Sequence, residues 1–295
     1  MSFTPLVETE LARAGIAAPE LERLIRLALD EDLRYGPDVT SEATVGADVV
    51  AAADVVARAR GVLCGVPVAM AVLETVGVRA DQVSVTTRDG ERVEPATVAL
   101  HIVGPVRALL LGERTLLNFM THLSGIATAT NEWVRVLEGT GCVVRDTRKT
   151  LPGLRQLEKY AVRCGGGENH RMGLGDVALI KDNHVVATGG VGEAVTAVRC
   201  FAPGVELEVE CDTLDQVREA VAAGSRLILL DNMDLDQLSS AVSLAREVTG
   251  VRLEASGGMT IANARAVAET GVDYIAVGAL THSSPALDLA LDLRH

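Results

Sequence analysis

The chain has 295 residues, 48% hydrophobic, 23% charged and 2% aromatic, with a formal net charge of −13. That length supports a sizeable core and one or two domains, packed on Ala, Val and Leu rather than on aromatic rings. So acidic a surface argues against nucleic acid, whose phosphates need a basic face, but not against a small anionic substrate held by a local cluster of opposite sign.

The opening MSFTPLVETELARAG has no basic start and no apolar core, so no signal peptide is expected. No run of eighteen apolar residues suggests a membrane span. Residues 5–33 read as two helices. The second spaces Leu21, Leu24, Ile25, Leu27 and Ala28 along one face and ends at the turn Tyr35-Gly36-Pro37-Asp38. β-like runs follow at 49–59, 83–87 and 97–103, with a helix near 67–76 and a hairpin turn at Asp89-Gly90. This half is expected to be a small α+β layer domain. A helical stretch over 106–137 follows, with a break expected at Ser124-Gly125.

From residue 143 strands and helices alternate. Strand-like runs at 143–145, 178–180, 206–209, 226–230, 252–254 and 274–277 are separated by helical patterns at 154–163, 191–200, 214–223, 235–248 and 261–270. Glycines 204, 224, 250 and 271 follow four of those helices, as C-terminal glycines do. The alternation implies a parallel sheet; six strands satisfy an open sheet as well as a barrel. No GxGxxG follows the first strand, which weakens a dinucleotide-binding fold.

Polar residues gather where these strands end: Arg145-Asp146-Thr147-Arg148-Lys149, Lys181-Asp182-Asn183-His184, Glu210, Asp231-Asn232, Ser256-Gly257-Gly258 and Gly278. Parallel α/β barrels build their sites at that edge. The only three lysines, Lys149, Lys159 and Lys181, fall within 33 residues, together with Arg148, Arg155, Arg163, His170 and Arg171. Lys159 and Arg163, four apart, read as a basic helix surface. Lys149 and Lys181, at strand ends, predict a cationic pocket for a multiply charged anion. Glu210 and Asp231 supply the opposite sign, suited to Mg²⁺ beside substrate phosphates or to positive charge developing on a sugar carbon. Ser256-Gly257-Gly258 before a helix suits a phosphate. Gly165-Gly166-Gly167 reads as a flexible loop, and His101 and His122 as structural. The cysteines, Cys64, Cys142, Cys164, Cys200 and Cys211, form no CxxC pair and are expected as buried, inert thiols of a cytoplasmic protein. There is no metal-spaced His/Cys set and no GxSxG elbow.

Several stretches together resemble the quinolinate phosphoribosyltransferase family: Asp146 to Thr150 (DTRKT), Gly166 to Arg171 (GGENHR), Leu179 to His184 (LIKDNH), Glu208-Val209-Glu210, Leu230-Asp231-Asn232 and Glu254 to Gly258 (EASGG). In the first half Ala28 to Asp32 (ALDED), Gly36 to Thr40 (GPDVT) and Gly112 to Asn118 (GERTLLN) match as well, so the likeness spans nearly the whole chain in order. The resemblance implies an α/β protein with an N-terminal open α/β sandwich (1–115) and a C-terminal incomplete, seven-stranded α/β barrel (116–280), with the tail 281–295 packing back on the first domain. It implies transfer of phosphoribosyl from phosphoribosyl pyrophosphate to quinolinate, giving nicotinate mononucleotide, pyrophosphate and CO₂ for NAD synthesis, with Mg²⁺ required and held by Glu210 and Asp231, directly or through the substrate. By the same resemblance Arg148, His170 and Arg171 would grip the quinolinate carboxylates, with Lys149 and Lys181 near the substrate anions. Glu210 and Asp231 would face the ribose, and Ser256, Gly257 and Gly278 would cradle the 5-phosphate. Thr147, Gly258, Val277 and Ala279 join the substrate-binding set, and Lys149, Glu210 and Asp231 are the catalytic residues. Arg114 would reach into a neighbouring subunit, making the working unit a homodimer or larger. A sister enzyme acting on nicotinate, or a non-catalytic sugar-phosphate sensor, remain as alternatives. CO₂ release separates the first, and a missing charged residue would mark the second.

Overall fold

The structure is a computed structural model that describes residues 3–294. The chain folds into two compact units. The first runs to Ala129 and adds Gln156–Gly166 and the residues from Ser283; the second comprises Thr130–Arg155 and Gly167–His282.

The first unit opens with α1 (Pro5–Ala14) and α2 (Ala18–Leu33). Pro5 starts α1, where its missing N–H costs nothing, and Gly15 ends it in the left-handed conformation. In α2 the buried stripe is Leu21, Ile25 and Leu29, while Leu27 is 53% exposed, so the core-facing face is narrower than the sequence suggests. The turn at Asp38 also starts a helix: its carboxylate accepts the Ser41 N–H (3.0 Å) and caps α3 (Val39–Thr44). Then come β1 (Val50–Ala57), β2 (Gly61–Val62), α4 (Val66–Thr75), β3 (Val83–Val85), β4 (Arg92–Val93), β5 (Val98–Pro105) and α5 (Val106–Leu137). Residues Val66 to Leu73 of α4 are all buried, as befits a helix apolar on every side.

Asp89-Gly90 does not join two neighbouring strands directly. β3 and β5 pair antiparallel, but β4 lies between them in sequence and pairs with β2. Asp89 instead caps α4, accepting the N–H groups of Gly65 and Val66 (3.0 Å each). The expected break at Ser124-Gly125 is absent, and α5 is continuous. Gly125 answers to packing: a Cβ there would lie 2.1 Å from the carbonyl oxygen of Pro285. Gly125→Ala should therefore destabilise by about 1–3 kcal/mol or more, read as a lowered thermal midpoint; an unchanged midpoint would show that the 285 segment yields freely.

Along the second half follow β6 (Val143–Arg145), α6 (Arg155–Cys164), β7 (Val177–Ile180), α7 (Asp182–Thr188), α8 (Val191–Phe201), β8 (Glu206–Cys211), α9 (Leu214–Ala222), β9 (Leu227–Asp231), α10 (Leu235–Arg246), β10 (Arg252–Ser256), α11 (Ile261–Glu269), β11 (Tyr274–Ala276), α12 (Ala279–His282) and β12 (Leu289–Arg294). The last strand belongs to the first sheet, ordered β12-β1-β5-β3. α6, apart from its first residue Arg155, also lies in the first unit. Lys159 on it is fully buried, so its expected place on a basic surface is wrong; Arg163 is exposed but donates to the Ala14 carbonyl (2.7 Å). The run after α6 is tied at its start, because the N–H groups of Gly165 and Gly166 return to Ala161 and Arg163 (3.0 and 2.9 Å) and cap the helix.

In the second unit six strands form a parallel sheet ordered β6-β11-β10-β9-β8-β7. A seventh position exists as a single parallel bridge between Glu168 and Arg145, on the free side of β6. This is the incomplete α/β barrel. Alternate residues set its two faces. Val144, Ile180, Val209, Ile228, Leu230, Leu253, Ala255 and Ile275 are buried and apolar. The intervening residues, Arg145, Leu179, Glu208, Leu229, Glu254 and Tyr274, fall on the other face, and that face builds the site.

Candidate active site

Two residues beyond each of those intervening positions, the strands reach their C-terminal ends. Thr147, Lys181, Glu210, Asp231, Ser256 and Ala276 stand there and line a cavity of about 430 Å³, with Arg148, Lys149, His170, Arg171, Leu179, Leu229 and Glu254 completing it. The volume suits a small organic ligand. Thus Thr147, Arg148, Lys149, His170, Arg171, Lys181, Glu210, Asp231 and Ser256, picked out from the sequence, share one cavity. Gly257 and Gly258 continue the chain from Ser256. Gly278 packs at its edge, where a Cβ would lie 2.8 Å from Lys149 Cδ and 3.3 Å from Thr147 Oγ1, with Val277 and Ala279 beside it. Arg114 is the exception: it lies on α5 in the first unit, exposed, and is not among the lining residues.

Local bonds hold the rim in place. The Lys181 ammonium pairs with the Glu210 carboxylate. Asn232 adopts a positive φ of 53° and its amide donates to Asp231 (2.6 Å), fixing that carboxylate. Gly257, at φ +85°, leaves no room for a side chain: a Cβ would come 2.1 Å from Asn232 Oδ1. The Lys149 N–H donates to Thr147 Oγ1 (3.0 Å), and its carbonyl accepts from Thr281 Oγ1 (2.8 Å). Burial, and then the Arg148 charge, hold the Arg171 guanidinium below its usual range. Two cations that disfavour each other are a site that gains by taking up an anion.

Beneath the rim lies a charged layer centred on Glu208 and Glu254, to which the sequence reading gave no role. Glu208 and Glu254 are both 0% exposed. Glu208 accepts from His170 Nε2 (2.6 Å), and Glu254 accepts from Arg145 (3.0 Å), whose guanidinium stacks on the Tyr274 ring at 3.9 Å. His170 Nδ1 accepts the Arg171 N–H (2.8 Å), so both ring nitrogens are engaged and neither is open to a substrate carboxylate. Fully buried Asp146 holds the same segment, accepting the His170 N–H (2.9 Å) and the Asn169 amide (2.6 Å). The i−2 spacing from Glu210 and Ser256 along β8 and β10 was the signal that marks Glu208 and Glu254.

His170 Nε2 and carboxylate oxygens of Glu208 and Glu254 lie within 4.8 Å of one another, near enough to hold an ion. The Arg171 N–H decides otherwise: an Nδ1 that accepts leaves the proton on Nε2, where a metal needs the lone pair. Burial lowers His170's proton affinity, but the Glu208 hydrogen bond and the charges of Glu254 and Glu208 outweigh it and raise it. Burial, then the Glu208 charge, push the Glu254 carboxyl from 4.5 up to about 7.

This has a sign in pH. A raised carboxyl stabilises the fold fully below its unfolded value of 4.5, and that contribution is lost as pH rises through about 7. The loss is about 3 kcal/mol at one pH unit per 1.36 kcal/mol. Glu254→Gln should therefore flatten the fall in thermal midpoint between pH 5 and 8; an equal slope in both proteins would refute it.

Comparisons with known proteins agree with this architecture. A family model described as the quinolinate phosphoribosyl transferase N-terminal domain matches residues 38–124, and the C-terminal domain model matches 126–292. The chain is 52% identical over 272 residues to the nicotinate-nucleotide pyrophosphorylase (carboxylating) of Mycobacterium leprae, covering 91% of this chain and 95% of that one. Against the chloroplastic enzyme of that name from Arabidopsis thaliana it is 38% identical, covering 93% and 83%. The solved nicotinate-nucleotide pyrophosphorylase from Francisella tularensis superposes with a TM-score of 0.89 at 38% identity, over 95% of this chain and 98% of that one. Among the described residues no helix is long and apolar enough to cross a membrane.

Proposed function

The chain belongs to the quinolinate phosphoribosyltransferase family, and from that premise we propose how its cavity joins quinolinate to phosphoribosyl pyrophosphate, releasing nicotinate mononucleotide, pyrophosphate and CO₂ for de novo NAD synthesis. The observation that carries the assignment of roles is the convergence of Arg148, Lys149, Arg171 and Lys181 on one cavity of a chain whose net charge is −13. Both substrates are multiply charged anions that repel in water. A pocket that brings them together must hold fixed positive charge before they arrive.

Arg148 and Arg171 bind the two pyridine carboxylates, since a planar guanidinium takes a carboxylate bidentately. Two such grips favour the dicarboxylate over nicotinate. His170 acts from behind, through the Arg171 N–H it accepts. Lys149 and Lys181 face the donor's phosphates, and Ser256, Gly257, Gly258 and Gly278 take the 5-phosphate with Thr147, Val277 and Ala279 alongside. As the ring nitrogen attacks the anomeric carbon and pyrophosphate leaves, positive charge develops on the ribose. Glu210 and Asp231 stabilise it. The quaternised ring then accepts the electron pair of the breaking C–CO₂ bond. Hard oxygens at two adjacent strand ends also fit Mg²⁺, which Glu210 and Asp231 would hold beside the substrate phosphates; when bound it would offset the charge of the pyrophosphate.

The enzyme works as a homodimer or larger assembly in the cytoplasm, with Arg114 completing a neighbour's site; its exposed position on α5 supports that reading. Mixing Arg114→Ala subunits with Lys149→Ala subunits should restore part of the activity, because a hybrid dimer carries one intact shared site. No rescue in verified hybrids would refute sharing. The function itself is tested by assaying purified protein with phosphoribosyl pyrophosphate, Mg²⁺ and either quinolinate or nicotinate. Turnover with stoichiometric CO₂ is expected with quinolinate alone; turnover of nicotinate without CO₂ would overturn the substrate assignment.

A further inference from the structure

Two thiols in the first unit stand close together. The sulfurs of Cys64 and Cys164 and a carboxylate oxygen of Asp89 lie within 4.8 Å of one another. Hydrogen bonds hold the pair from both sides. Ser124 Oγ accepts the Cys64 N–H (2.9 Å) and donates to the Cys64 carbonyl (3.0 Å). Asp89 accepts the N–H groups of Gly65 and Val66, just after Cys64, and the hydroxyl of Tyr160 (2.7 Å), one helical turn before Cys164. One carboxylate thus ties the backbone beside one cysteine to the helix that carries the other. Three donors already occupy that carboxylate, so an ion would find two sulfurs and little else, short of the four ligands a structural zinc takes.

The two thiols differ in access. Cys64 is fully buried and Cys164 is half-buried. Burial and the hydrogen bond with Cys164 hold the Cys64 thiol well above its ordinary range, so an oxidant from solvent meets Cys164 first.

We propose that Cys64 and Cys164 close to an intramolecular disulfide when the protein meets a small-molecule disulfide such as oxidised glutathione. The Cys164 thiolate attacks one sulfur of the reagent and expels a thiolate, leaving a mixed disulfide. Cys64, giving up its proton, displaces the second thiolate. Two electrons pass from the protein to the reagent, and the two protein protons end on the two released thiols. The bond joins the segment after β2 to the last residue of α6, closing a long loop, which constrains the unfolded chain. The inference is independent of the proposed reaction.

The test uses the full chain carrying Cys200→Ser, which removes the exposed thiol. After incubation with oxidised glutathione and denaturation, its four remaining thiols should fall to two. Peptide mapping should find Cys64 linked to Cys164, and the thermal midpoint should rise by several degrees and return on adding reductant. Mapping the same cross-link in the unsubstituted chain makes the result independent of the variant's folding. Four thiols persisting, or Cys164 carrying glutathione while Cys64 stays free, would overturn the proposal.

Discussion

Glu210→Gln is expected to lower kcat by about 10²–10³-fold, the usual cost of one electrostatic group aimed at developing charge, while the thermal midpoint stays near that of the parent. The substitution keeps the shape of the side chain and removes its charge. Its partner Lys181 is 45% exposed, so water can cover the ammonium that loses its carboxylate. The KM for each substrate should change less than kcat, because the charge being stabilised appears on the ribose only as pyrophosphate departs. Steady-state assays that follow CO₂ and pyrophosphate together check this. A variant with parental kcat would remove Glu210 from the chemistry.

Glu208→Ala should act mainly on the fold. Glu208 is wholly buried and accepts from His170 Nε2. Removing it strands that N–H and leaves a cavity in the barrel interior. Leaving a buried donor without its acceptor typically costs about 1–3 kcal/mol, and the cavity adds to it. Denaturant unfolding reads the loss directly. What activity survives should show a raised KM for the dicarboxylate, because His170 accepts the N–H of Arg171. A stability within about 0.5 kcal/mol of the parent, the range of an ordinary surface change, would mean the buried layer bears no weight.

These two neighbours on one strand illustrate what the sequence made legible. Glu210, at a strand end, was visible because parallel strands present their functional groups at that edge, and Lys149, Lys181 and Asp231 were visible for the same reason. Glu208 sits within the same strand, where a charged residue reads as an ordinary edge of the pattern. Only its i+2 relation to Glu210 sets it facing inward, and whether it finds Arg145 or His170 depends on how six strands curl, which no local pattern encodes. Asp89 was mistaken for the same kind of reason: its turn chemistry is real, but the helix it caps begins 23 residues earlier. Gly125 reads as a helix breaker, yet its role is to let another stretch of backbone come close. Lys159 carries a strongly hydrated ammonium and is nonetheless wholly enclosed. Periodicity and turn residues therefore recovered the elements and the rim of the site, while long-range closure decided the interior.

The pairing of β12 with β1 bears on how the protein is made. Arg58, just past β1, meets Asp292 on β12, a partner 234 residues further along the chain. A ribosome adding about 5–20 residues per second needs on the order of 10–50 s to cover that span. Throughout that interval one side of β1 has no strand to pair with, an open edge on which another nascent chain can dock. Expression with chaperones in excess should then raise the yield of native protein, since the vulnerable state is set by translation time rather than by the stability of the finished fold.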